Sequence, residues 1–299
     1  MIAHLVLLAF LTTSSLPAAG ERWQDADNTT FGDDVSLENS DDGLQTAFTI
    51  DSDRTTIGWQ DLQQPEDNTL IFSFTAPSDQ SAVLNYIGAQ HPSNINGTVE
   101  CDGCTVAFAN PWGIYIGDRA VVDVGNLAMI AGDINREAFL SGGGLDTRLE
   151  GTVQNDGRIL ADGNVLLLGR EVINNGEIQL GSGVLLMLAG REIHDLNWDS
   201  ITDDFLERTD FRATLSGGLV ENNALIEAHD AALIGARVVN HGEITIADGS
   251  FLMLAADEVW IRRFDDPVAI RLPRLDGDRA AAAQHVQYAI ENHGRIDAG

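Results

Sequence analysis

The phrase Asn155-Asp156-Gly157-Arg158-Ile159 decides the fold, because it returns along the second half of the chain. Three further copies and one degenerate copy occur, at Asn174-Asn175-Gly176-Glu177-Ile178, Asn240-His241-Gly242-Glu243-Ile244, Asn292-His293-Gly294-Arg295-Ile296 and Asn222-Asn223-Ala224-Leu225-Ile226. Asn155 and Asn174 are 19 residues apart, and Asn222 and Asn240 are 18 apart. A period this short cannot hold a pair of helices, but it accommodates three short strands with turns.

A longer period lies above the short one. The spacing is 67 residues from Asn155 to Asn222 and 66 from Asn174 to Asn240. The apolar run at 185–189 also returns 66 residues later, at 251–255. We therefore expect a unit of two short coils and one longer excursion, with excursions near 194–218 and 260–287.

Within the short coils, the runs 165–168, 177–180 and 184–188 are typical of strands. Asparagine and glycine tolerate positive φ, so the repeated phrase supplies the turn between strands. Coils stacked about 4.8 Å apart would pair as parallel strands around a column of apolar side chains. The sequence therefore predicts an all-β, right-handed parallel β-helix. Its recurring turn asparagines would stack and bond from coil to coil in a structural role: Asn155, Asn174, Asn222, Asn240 and Asn292.

The remaining segments predict how the ends of the chain are organised. Residues 5–11 are apolar, and small residues Ala18 and Gly20 precede Glu21, which indicates a signal peptide over 1–20. A buried N-terminal strand is the alternative. The polar stretch 21–53 would form an N-terminal cap, whereas the excursions would stand off the solenoid as loops or flaps. Because no cap follows the last repeat, we expect either that the natural product continues beyond Gly299 or that the reading frame is truncated.

Composition narrows the class of protein. The chain has 299 residues, with 17 basic and 46 acidic side chains, a net charge of −29 and no lysine. Such a chain is a poor partner for nucleic acid or an anionic membrane, since both require basic side chains. Its 44% hydrophobic content and 30 glycines indicate a folded protein with many turns rather than an acidic tail.

The first half carries a series of phrases in a fixed order. The phrases are Ile57-Gly58-Trp59-Gln60-Asp61-Leu62, the segment 69–78, Val83-Leu84-Asn85-Tyr86-Ile87-Gly88, Pro92-Ser93-Asn94-Ile95-Asn96-Gly97, Asn110-Pro111-Trp112-Gly113-Ile114 and Val124-Gly125-Asn126-Leu127-Ala128. In this order they resemble the secretion domain of filamentous haemagglutinin-like exoproteins, which belong to two-partner secretion systems. Trp112 stands where the family usually has a second asparagine, and Tyr86 where it has arginine.

The resemblance implies a secreted passenger rather than an enzyme. A cognate outer-membrane β-barrel transporter with periplasmic domains would recognise the chain, and a surface adhesin or large exoprotein is the expected product of a Gram-negative-type bacterium. Residues 21–144 would form the cap and secretion-domain core, and 145–299 the continuing coils. The motif of Asn110, Pro111, Trp112, Gly113 and Ile114 would serve transporter recognition or folding. A host or bacterial surface ligand would be the final target.

The motif also has a physical interpretation of its own. Proline fixes φ and biases the residue before it towards extended geometry, so Asn110-Pro111 starts a turn. Gly113 then permits positive φ before a strand at 114–116. A folding turn without direct partner contact stays open as the alternative to a recognition role.

Other candidate chemistry is sparse. Cys101 and Cys104 form a C-x-x-C pair between predicted strands; we expect a small surface disulfide across a turn, with free thiols as the alternative. One such pair does not complete a zinc site, and we expect no metal or cofactor. An extracellular β-helix polysaccharide lyase or hydrolase is the alternative function, although no converging carboxylates mark it.

Overall fold

The computed structural model of the protein describes residues 28–198, 210–247, 249–263, 268–271 and 289–298. The first half contains one helix, α1 (Arg136–Leu140), and the strands β1 (Thr29–Thr30), β2 (Val35–Asn39), β3 (Gln45–Ile50), β4 (Arg54–Trp59), β5 (Gln63–Gln64), β6 (Thr69–Phe74), β7 (Ala82–Ile87), β8 (Ser93–Ile95), β9 (Thr98–Ala109), β10 (Ile114–Ile116) and β11 (Val121–Ile130). The second half contains β12 (Gly144–Arg148), β13 (Thr152–Asn155), β14 (Arg158–Ala161), β15 (Val165–Gly169), β16 (Glu171–Asn174), β17 (Glu177–Leu180), β18 (Val184–Ala189), β19 (Glu192–Asn197), β20 (Phe211–Thr214), β21 (Leu219–Asn222), β22 (Leu225–Ala228), β23 (Asp230–Gly235), β24 (Arg237–Asn240), β25 (Glu243–Ile246), β26 (Phe251–Ala255), β27 (Glu258–Arg263), β28 (Val268–Arg271), β29 (Ala289–Asn292) and β30 (Arg295–Ala298).

These strands wind into a parallel β-helix. Each complete coil of the second half contributes three strands, for example β13, β14 and β15, then β16, β17 and β18. Each strand pairs in parallel with its equivalent one coil away, and Asn155 lies in register with Asn174, which lies in register with Asn222. The predicted fold class is therefore confirmed, as are the predicted strands at 177–180 and 114–116.

The N-terminal end of the β-helix is covered by antiparallel strands. Strand β2 pairs antiparallel with β3, and β1 pairs antiparallel with β4. Strand β3 already pairs in parallel with β6, so it belongs to the first coil rather than to the cap. An antiparallel covering strand ends the parallel stack and shields its first unpaired edge. In the described residues the covering strands end at Asn39, within the predicted cap of 21–53, and residues 1–27 lie outside the described part of the chain.

The excursions differ from the predicted loops or flaps. Their described parts contain strands, the first of which start at Glu192 and Glu258, close to the predicted positions 194 and 260. Together with β12 they form a five-stranded antiparallel sheet in the order β12, β19, β20, β27 and β28, which we call the side sheet. Residues 199–206 and 280–283, where the sequence would allow short helices, lie outside the described residues.

The side sheet creates a second hydrophobic core. Val165, Leu167 and other alternate residues point into the β-helix, whereas Leu166 and Leu168 point outward and are equally buried. The outward residues pack with side chains of the side sheet, including Ile193. A strand buried on both faces carries a continuous apolar run instead of alternation, which is the pattern of β15 and β18.

Candidate functional site

The Asn110 side chain organises the turn between β9 and β10. It is fully buried, and its Nδ2 atom donates to Ser93 Oγ at 2.9 Å and to the His91 carbonyl oxygen at 3.1 Å. Its Oδ1 atom accepts from the Trp112 main-chain N–H at 3.0 Å. Its own carbonyl accepts from the Gly113 N–H at 3.0 Å. The amide thus links the turn to the preceding coil, and its removal would leave buried polar groups without partners.

Gly113 fits the same turn against the following coil. Its φ of +120° lies in the region that favours glycine. A Cβ atom placed there would lie 2.8 Å from the Thr152 carbonyl oxygen. Ile114 then enters β10, which pairs with β8 on one side and with β13 on the other. A larger residue at position 113 would therefore disturb both the turn and the coil stacking.

Trp112 projects from this turn into solvent. Its side chain is 55% exposed, although its main chain is held by Asn110. Beside the turn lies a groove of about 510 Å³, whose lining includes Pro111, Asp133 and Glu150. An aromatic side chain held on a fixed backbone is the kind of residue that anchors protein interfaces.

Two other motif phrases meet inside the β-helix. The Trp59 indole N–H donates to Asn85 Oδ1 at 2.9 Å, and Asn85 Nδ2 donates to the Ala107 carbonyl oxygen at 3.2 Å. Trp59 and Asn85 are both buried. Asn85 and Ser93 were not among the candidate site residues in the sequence. Their presence in the motif phrases is the signal that marks them.

The turn asparagines form a continuous hydrogen-bonded column, which we call the asparagine ladder. Each Nδ2 atom donates at 2.8 Å to the Oδ1 atom of the next asparagine. Its members are Asn155, Asn174, Asn222, Asn240 and Asn292. The first four are fully buried. A second, exposed row lies beside it, where Asn175 donates to Asp156 at 2.7 Å and the rings of His241 and His293 stack 5.0 Å apart.

Cys101 and Cys104 are joined by a disulfide. Its position differs from the predicted surface turn between strands. Both residues lie within β9 and are buried in the main core. The chain bulges there: Gly103 has a φ of +67°, and the register with β11 shifts between Val124 and Asn126. The bulge turns both thiols inward, which a strand without a bulge would not do.

Neither a metal centre nor a membrane helix is found in the part of the chain that the structure describes. Within those residues, no three His, Cys, Asp or Glu side chains come together where they could hold a metal ion. Over the same residues, no helix has the length and apolarity needed to cross a membrane.

The fold and the turn define a class of protein: a capped parallel β-helix with an Asn-Pro-x-Gly turn in its early coils. The family model described as the TPS secretion domain matches residues 28–253, well over half of the chain, and the protein belongs to this family. The match passes through residue 144, where the sequence suggested the end of the secretion-domain core.

Among solved structures, the fold is similar to the HMW1 secretion domain from Haemophilus influenzae, with 22% sequence identity and a TM-score of 0.62. The alignment covers 77% of this chain and 60% of that chain, so the protein spans 60% of the length of the structure it matches. At this identity the similarity shows the shared β-helix fold alone. No curated protein matches the chain in sequence.

Proposed function

We propose that the chain is the N-terminal part of a secreted passenger, recognised through its 110–114 turn by the periplasmic domains of a cognate outer-membrane β-barrel transporter. A signal peptide over 1–20 directs it to the periplasm. Folding of the β-helix outside the cell starts in this domain, and the exported product serves as an adhesin or large exoprotein that binds a host or bacterial surface. Membership of the secretion-domain family is the observation that carries this proposal.

The geometry of the turn supports two separate roles for its residues. Asn110 is buried and bonds to the coil before it, which suits a role in folding. Trp112 is exposed and lies outside the hydrophobic core, which suits a role in recognition. A flat aromatic ring offers a partner a large contact area with little conformational entropy to lose.

Trp112→Ala separates recognition from folding. The experiment measures secreted protein from cells that co-express the cognate transporter. We expect the secreted fraction to fall several-fold, while the free energy of unfolding of the purified chain changes by less than about 0.5 kcal/mol because the side chain is exposed. Leu44→Ala is the matched control, since Leu44 is a similarly exposed apolar residue on the N-terminal cap.

Secretion of Trp112→Ala at the wild-type level would contradict the recognition role.

Deletion of residues 21–144 tests the wider proposal. We expect it to abolish secretion in cells with the transporter, and cells without the transporter should secrete neither form. Undiminished secretion of the deleted chain would refute the passenger function. The sequence-based alternative, a polysaccharide lyase or hydrolase, would be established by cleavage of an acidic polysaccharide with calcium.

A further inference from the structure

The outward face of the side sheet carries a cavity of about 490 Å³ that the secretion function does not use. Its described lining consists of Asp195, Asp210, Phe211, Arg212, Trp260 and Ile261. Phe211 and Ile261 are buried in the core on the other face of the side sheet. The Trp260 indole and the charged side chains of Asp195, Asp210 and Arg212 line the cavity, so it combines one apolar ring with polar groups.

The strand register brings these residues together from distant parts of the chain. Arg212 lies directly opposite Trp260 on β27 and opposite His194 on β19. Side chains paired across antiparallel strands are about 4.5–5.5 Å apart at Cβ. The Trp260 indole is held in place because its N–H donates to Glu258 Oε1 at 2.8 Å. The ring is therefore positioned before any ligand arrives.

Asp195 occupies an unusual backbone conformation at the edge of this cavity. Its φ is +64°, and among the described residues it is the one non-glycine with positive φ. It lies at a bulge between β12 and β19, where its N–H donates to Asp146 Oδ1 at 3.1 Å. His194 Nδ1 lies 3.3 Å from the same carboxylate oxygen. Bulges re-aim side chains, and strained non-glycine residues cluster at functional sites.

We propose that this cavity binds a neutral saccharide. The indole supplies a flat apolar surface for the C–H face of a sugar ring, two carboxylates accept hydrogen bonds from hydroxyl groups, and the guanidinium donates. A pocket with an apolar surface and a few placed polar groups is typical of small-molecule sites. An acidic sugar is disfavoured, because the lining carries two carboxylates against one guanidinium and the chain has a net charge of −29.

The test titrates the full chain with each probe and monitors the NMR signals of the five tryptophan indole N–H groups. The probes are maltotriose, cellotriose, mannotriose and N-acetylchitotriose, with sialyllactose as the acidic comparison. We expect at least one neutral probe to move the Trp260 signal in a saturable manner at millimolar concentration. The exposed Trp112 signal comes from the 110–114 turn, which does not line this cavity, and should not follow it.

Asp195→Gly is the decisive variant, because glycine accepts positive φ and the change removes the carboxylate without adding strain. We expect binding to weaken about tenfold through loss of a charged hydrogen-bond acceptor. The buried Trp59 and Trp198 signals report whether the variant is folded. No saturable Trp260 shift below about 20 mM, unchanged affinity in folded Asp195→Gly, or tighter binding of sialyllactose would each overturn the proposal. None of these outcomes bears on secretion, so the two proposals fail separately.

Discussion

Replacing Asn174 with alanine removes the second member of the asparagine ladder. In the wild-type chain the Asn174 amide accepts from Asn155 and donates to Asn222, each at 2.8 Å. All three side chains are fully buried, so water cannot replace the lost partner. The substitution therefore tests how much the ladder contributes to the stability of the β-helix.

The expected loss follows from the two groups left behind. Asn155 Nδ2 keeps a 3.4 Å contact to the Glu177 carbonyl, and Asn222 Oδ1 keeps a 3.4 Å contact from the Ala224 N–H. Both contacts are long for hydrogen bonds. A buried polar group without a good partner costs about 1–3 kcal/mol, so two of them predict a loss of about 2–6 kcal/mol in the free energy of unfolding.

Urea unfolding followed by circular dichroism measures this loss. Asn175→Ala is the matched control: it changes the same residue type one position away, where the side chain is exposed and bonds to Asp156. Surface substitutions of this kind change stability by less than about 0.5 kcal/mol. Asn292→Ala should also lower the free energy of unfolding only slightly, because Asn292 is exposed and its side chain accepts one hydrogen bond of the ladder. If Asn174→Ala and Asn175→Ala have the same stability, the ladder does not hold the coils together.

Three further perturbations probe the core and the cap. Replacing Cys101 and Cys104 together with alanine should lower the free energy of unfolding by about 2 kcal/mol, the loop-closure value for so short a loop. Thermal unfolding with and without reductant measures this loss. Equal melting temperatures would contradict it. Gly125→Ala should lower the melting temperature, because a Cβ atom there would lie 2.5 Å from a backbone atom of the preceding coil. An unchanged melting temperature would show that the backbone of the bulge moves to accommodate the methyl group. Burial alone would raise the pKa of the Asp34 carboxyl group, but hydrogen bonds, chiefly from Ser52, bring that pKa below its usual value. The ionised carboxylate therefore stabilises the folded chain above the usual pKa. This stabilisation is lost as the pH falls through the lowered pKa. Ser52→Ala should therefore raise the pKa of Asp34 and move acid unfolding to higher pH, as an NMR titration would show, whereas an unmoved titration curve would count against the hydrogen bond.

The β-helix could be predicted because its pattern is local. Each repeated phrase places a turn asparagine before an isoleucine that points inward, such as Ile178, and the same arrangement recurs every coil. Parallel stacking then puts equivalent residues in register, so one repeat predicts the contacts of the next. The ladder contacts follow from this register alone.

The side sheet could not be predicted in the same way. Strand β12 pairs with β19, and β20 pairs with β27, so the partners lie some 45 residues or more apart and share no repeated phrase. A signal was nevertheless present in the runs at β15 and β18. Their continuous apolar residues, Leu166 and Leu168 among them, require burial on both faces, which a solvent-exposed solenoid wall does not provide.

The site was predicted in part. Proline and glycine in the 110–114 motif indicated a turn, and Gly113 has the expected positive φ. The partner of Asn110 could not be read from the motif, because Ser93 becomes its neighbour only when β8 and β10 stack. The buried position of Cys101 likewise depends on a bulge that the local sequence does not specify.

The side sheet also changes how the protein would respond to mechanical force. The pairing of β12 with β19 closes a loop around the two coils from β13 to β18, and the pairing of β20 with β27 closes another around the coils from β21 to β26. A single coil cannot unfold until the strand pairing that closes its loop has broken. Under tension, the breaking of each pairing would release two coils at once. The chain would then lengthen by on the order of 150 Å, the extended length of the enclosed residues. The two-coil unit seen as a sequence period would thus also be the unit of mechanical unfolding.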